Sequence, residues 1–170
     1  MFPRALLLMV TPLVPLLAAC GDREAKAAEK DVMRLQATLP VLAAYRVRAY
    51  RHQPWCQALE YARGRFATDS KESCAGILDG NRRPFDQTAR RDIEAIRKAM
   101  REAADDLQVV NDLEYSADGR PVRGVFDCSE GHERRVYFYD PGYTLPTTAP
   151  PGASYYPVNE QWYRLAPTAP

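Results

Sequence analysis

The apolar period of this chain changes once, and that change limits the fold classes open to it. From Asp86 to Leu107 the residues Ala89, Ile93, Ile96, Met100, Ala103 and Leu107 alternate four- and three-residue steps. Arg90, Arg91, Glu94, Arg97, Lys98, Arg101 and Glu102 fill the opposite side, which is the pattern of an amphipathic helix. Asp86 stands where a side-chain oxygen can cap it. After Gln108 the step becomes two. Leu113 and Tyr115 alternate with Asp112 and Glu114, Asp118-Gly119 is a hairpin turn, and Val122, Gly124, Phe126 and Cys128 form a second alternating run. A third strand is expected from about Arg135 to Tyr139, ending at the turn Asp140-Pro141-Gly142. Helices first and strands after predict an α+β fold: N-terminal helices, then a small antiparallel meander of three to five strands packed on the helix at 86–107.

Upstream, Ala25, Ala28, Val32, Leu35 and Leu39 recur at helical steps, so a helix is expected over 22–39. Pro40 is read as the first turn of a second helix reaching about Tyr50, and Pro54 as the start of a short helical segment through Ala62, stopped at Gly64. Residues 67–84 read as loop. Seven of the fourteen prolines lie from Pro141 onward, which excludes helix there. Short edge strands are expected at 155–158 and 161–165, with a frayed tail at 166–170.

At the N-terminus, Arg4 precedes an apolar run from Ala5 to Leu17 that is too short, and too interrupted by Pro12 and Pro15, to span a membrane. The sequence Leu17-Ala18-Ala19-Cys20-Gly21 that follows resembles the lipobox of bacterial lipoproteins. The resemblance implies removal of a signal peptide at 1–19, a mature domain at 20–170, and acylation of Cys20. Gly21 after the cysteine implies sorting to the periplasmic face of the outer membrane. The expected anchor holds the protein to the membrane through lipid alone.

With 23 Lys+Arg against 22 Asp+Glu, the chain lacks the basic excess needed to displace counterions from nucleic acid. Beyond Cys20 three cysteines remain, an odd number for an oxidising compartment. Cys56 and Cys74 are the expected disulfide, a closure worth about 3 kcal/mol in the chain-entropy model, which leaves Cys128 as a buried thiol. A minor alternative pairs each histidine with the cysteine four residues away. His52, Cys56, Cys128 and His132 would then hold zinc. No other cofactor is implied.

Residues 45–66 interleave aromatics and arginines. Arg46, Arg48, Arg51 and Trp55 are candidate binding residues, because arginine contacts anions in bidentate fashion and tryptophan anchors interfaces. Tyr143 and Trp162, from a tyrosine-rich C-terminal stretch, join them. No nucleophile elbow, HExxH motif or glycine-rich phosphate loop is present, so no catalytic residue is assigned. The expectation is a lipid-anchored, non-enzymatic envelope protein with a protein partner: an inhibitor, an immunity-like protein or an accessory subunit. A peptidoglycan or lipopolysaccharide binder using Arg46, Arg48 and Arg51 is the alternative. A cell-wall glycan hydrolase built on Asp127, Glu130 and Glu133 stands third.

Overall fold

Helix α1 (Leu16–Tyr45) passes straight through Pro40, where a second helix was expected to begin. Proline in a helix interior removes one backbone bond and costs about 3 kcal/mol. The stripe Ala28, Val32, Leu35, Leu39 and Leu42 is buried on both sides of it, and each large apolar side chain so buried contributes about 1.5–3 kcal/mol. Tertiary burial therefore outweighs the local break. The computed structural model describes residues 16–68, 82–130, 133–142 and 149–168.

The next segment overturns the fold expected from sequence. In place of the helical segments read over 40–50 and 54–62 there are three antiparallel strands: β1 (Ala49–Gln53), β2 (Cys56–Tyr61) and β3 (Gly64–Ala67). One face of these strands carries Tyr50, Leu59, Tyr61 and Phe66 into the main core. The other carries Ala49, Cys56, Ala58 and Ala67 in a second, small cluster. Alanine reads as a helix former in isolation, yet here it is the small residue that lets a second sheet face pack.

Helix α2 (Gln87–Ala103) has the expected cap, Asp86, whose carboxylate accepts from the Ala89 amide at 2.7 Å. It stops short of Leu107, which instead opens β4 (Leu107–Tyr115). Strands β5 (Pro121–Glu130), β6 (Glu133–Tyr139), β7 (Ala153–Pro157) and β8 (Trp162–Pro167) follow. Together the strands make one eight-stranded antiparallel sheet in the order β3-β2-β1-β4-β5-β6-β8-β7, not a small meander behind a helical half. β8 is interior rather than an edge, and the tail is paired as far as Thr168, whose amide donates to the Gly152 carbonyl at 3.0 Å.

Both helices lie on one face of the sheet and share its main core. Aromatic side chains with polar tips fix their positions. Tyr137 donates to the buried Asp31 of α1 at 2.6 Å, Trp162 Nε1 to Gln36 of α1 at 2.7 Å, and Tyr61 to Asp92 of α2 at 2.7 Å. The acidic pair after α2, placed where the helix dipole disfavours it, is matched by tertiary partners. Asp106 meets Arg34 at 2.9 Å and Arg135 at 2.8 Å, Asp105 meets Arg34, and Arg135 also reaches Asp31 at 3.3 Å.

Candidate functional site

α1 ends in a Schellman turn. The Arg46 amide donates to the Ala43 carbonyl at 3.0 Å and the Val47 amide to the Leu42 carbonyl at 2.9 Å, with Leu42 and Val47 both fully buried. Arg46 therefore takes the left-handed conformation, φ 52°, that this motif assigns to glycine. Its guanidinium lies 5.4 Å from the centroid of the Tyr115 ring, close enough for cation–π attraction. The hairpin turn supplies Gly119 at φ 89°, where an added Cβ would come within 2.6 Å of Arg46 Nη2.

From this turn the chain enters β1. Alternation sends Ala49 and Arg51 to the face away from the helices, beside Glu60 of β2 and Arg65 of β3. The neighbouring strand β4 is bulged between Asn111 and Glu114, and Asp112 in that bulge has φ 50°. The result is an open groove of about 1280 Å³ at the start of β1, lined by Arg46, Arg48, Arg51, Arg65, Glu60, Asp112 and Glu114 among others. Thus Arg46, Arg48 and Arg51, singled out as a cluster in the sequence, do converge. Asp112, Glu114 and Tyr115 were not foreseen in this site, because only the pairing of β1 with β4 brings them there.

Charge in the groove is unevenly committed. Glu60 pairs with Arg65 at 3.1 Å, and Glu114 with Arg123 at 2.7 Å. Among the described residues, Arg46, Arg48 and Arg51 have no carboxylate within ion-pair distance. Arg51 donates to Gln53 at 3.4 Å. Burial pushes its guanidinium below the ordinary value, partly offset by Asp127, and it stays charged at neutral pH.

The other sequence candidates fall elsewhere. Trp162 is a core residue, fully buried between Phe126 and Tyr139 at 5.0 Å from each ring; burial of its ring, with the indole N–H satisfied by Gln36, removes it from any surface. Trp55 is 59% exposed, but it sits at the β1–β2 turn, at the far end of β1 from the groove. Tyr143 lies outside the described residues, as do Cys74 and His132. The side chain of Cys20 does as well.

Cys56 is disulfide-bonded and Cys128 is free and buried; Cys74, the partner expected for Cys56, is not among the described residues. The zinc alternative is not assembled. His52 and Cys56 occupy a hairpin rather than a helix, and Cys56 and Cys128 face opposite sides of the sheet. Burial, reinforced by Arg97, pushes the His52 imidazole below its usual value. Among the described residues no three of His, Cys, Asp and Glu gather as metal ligands. Asp127 is held by Arg134 at 2.7 Å, while the side chains of Glu130 and Glu133 are outside the described set.

Comparison with protein-family models, with curated proteins and with solved structures finds no match to this chain.

Proposed function

We propose that this chain is a lipid-anchored cell-envelope protein, acylated at Cys20, that binds a partner protein and performs no chemistry of its own. An inhibitor, an immunity-like protein and an accessory subunit of an envelope assembly all answer to that description. One observation carries the reading. Both helices are spent on one face of the sheet, while the opposite face opens into a groove lined by Arg46, Arg48 and Arg51, which have no ion-pair partner among the described residues. Cations lining one concave surface raise its local positive potential, which favours an incoming anion. Arginine is also enriched among the residues that dominate interface energetics.

The same arginines support a second reading, in which the anion is a phosphate of lipopolysaccharide or a carboxylate of peptidoglycan. Glu60, Asp112 and Glu114 on the groove walls weigh against a multiply charged phosphate.

The test is detergent extraction of the lipidated protein from the cell envelope, followed by native mass spectrometry. The expected result is a stoichiometric second polypeptide, lost in Arg48→Glu and retained in Arg90→Glu, a control on the exposed face of α2. A protein that emerges alone, or carrying a glycolipid mass, overturns the reading. The mass of the free protein also reports acylation at Cys20, which Cys20→Ala removes.

A further inference from the structure

The backbone at the rim of the groove narrows what it recognises. Among the described residues only two besides glycine have positive φ, Arg46 and Asp112, and both line this groove. Residues held in that region carry a standing cost and persist where the surrounding structure enforces them, most often at functional sites. Each does something specific here. Arg46 occupies a glycine position, and its side chain is laid over Tyr115 at the groove edge. Asp112 is the bulge residue that lets the following Leu113 amide donate to the Arg48 carbonyl at 3.0 Å, which ties the backbone of Arg48 to β4. Bulges of this kind re-aim side chains beside binding sites.

We propose that Arg46, Arg48 and Arg51 form a carboxylate-binding subsite that receives an acidic segment of the partner protein, an inference that rests on the protein-binding reading above. Guanidinium groups take carboxylates in a planar, bidentate geometry that lysine does not offer, and none of the three forms an ion pair among the described residues. The carboxylates that remain on the walls favour a chain bearing single, spaced charges over a cluster of phosphates. Glu60 is already matched by Arg65 and Glu114 by Arg123, which leaves Asp112 to reject partners with the wrong charge order.

The experiment uses the full lipidated protein in detergent and a fluorescent peptide of alternating glutamate and glycine, with the glutamine-glycine peptide as control. Anisotropy is read at low and at physiological salt. The glutamate peptide is expected to bind at least about tenfold more tightly than the glutamine peptide, and the double variant Arg48→Gln/Arg51→Gln to lose about tenfold or more. Arg46→Gly is expected to lose affinity while its thermal midpoint does not fall below that of the parent, which separates a lost contact from a lost fold. Equal binding of the two peptides, or an undiminished double variant, overturns the subsite. Binding of lipid A vesicles that depends on Arg48, with no binding of the peptide, also overturns it and assigns the arginines to phosphate. If the native partner still co-purifies with the double variant, the subsite fails and the protein-binding reading stands; if no partner appears with the parent protein, that reading itself fails.

Discussion

The Tyr115 hydroxyl lies 2.7 Å from the Val47 carbonyl oxygen and so joins the end of β4 to the turn that terminates α1. It also lies 2.9 Å from the Leu42 carbonyl, and burial pushes its ionisation well above the ordinary tyrosine value. Tyr115→Phe keeps the ring under Arg46 and removes only the donor. The expected loss is about 1–2 kcal/mol, read as a lower urea midpoint at unchanged slope.

Arg46 isolates the cost of a side chain at the glycine position of a helix terminus. Arg46→Ala removes the guanidinium and keeps the Cβ at φ 52°, whereas Arg46→Gly removes both. The glycine variant should therefore be the more stable of the two by about 1 kcal/mol. Equal denaturation midpoints would show that the turn relaxes out of the left-handed region in solution.

Arg135 and Asp105 belong to one charged network but differ in burial. Arg135 is 13% exposed and serves both Asp31 and Asp106; in Arg135→Met, Asp106 keeps Arg34 and Asp31 keeps the Tyr137 hydroxyl, so the loss should be about 1–3 kcal/mol. Asp105 is 77% exposed, and Asp105→Asn should change stability by under about 0.5 kcal/mol. Thermal melts of the two variants side by side check the contrast.

Alkaline pH should unfold this protein. Burial pushes Tyr50 from 10.0 up to about 12, with Arg97 opposing, and raises Tyr61, Tyr115, Tyr137 and Tyr139 as well. In the unfolded chain these groups lose their protons near 10, so between about 10 and 12 the unfolded state binds fewer protons and stability falls as pH rises. Below about 10 this contribution is intact. The part of the tyrosinate absorbance that comes from these five tyrosines should thus appear together with loss of helical circular dichroism, not before it. Burial likewise raises the Cys128 thiol, which should react with a disulfide reagent only after denaturation.

Much of the second half was readable in the sequence, because Asp86, the stripe from Ala89 to Met100 and the alternation through Phe126 and Cys128 are each single, uninterrupted signals. Leu107 was misassigned because its spacing suits the end of a helix as well as the start of a strand. The strands at 49–67 were obscured by their length. Each holds four to six residues, and the alanines at 49, 58 and 67 fill the apolar half of the alternation with a residue that also suits a helix. Pro40 misled for another reason, since the forces that carry α1 through it come from Leu35, Leu39 and Leu42 meeting a sheet formed by distant residues. At the groove, the clustering of Arg46, Arg48 and Arg51 was visible as composition. Their lack of partners was not, because it depends on Glu60 having been claimed by Arg65 across a strand pair.

The strained arginine at the end of α1 leaves a historical trace as well as a physical one. Selection for stability alone would replace Arg46 with glycine, a change that a single nucleotide substitution makes from any arginine codon. Under the carboxylate-binding role proposed above, a descendant lineage that has lost its partner has nothing to oppose that replacement, and Arg48 and Arg51 are then free to drift with it. A lineage that still meets its partner keeps all three. On that proposal, the identity of one residue just past a helix records whether the interaction is still in use.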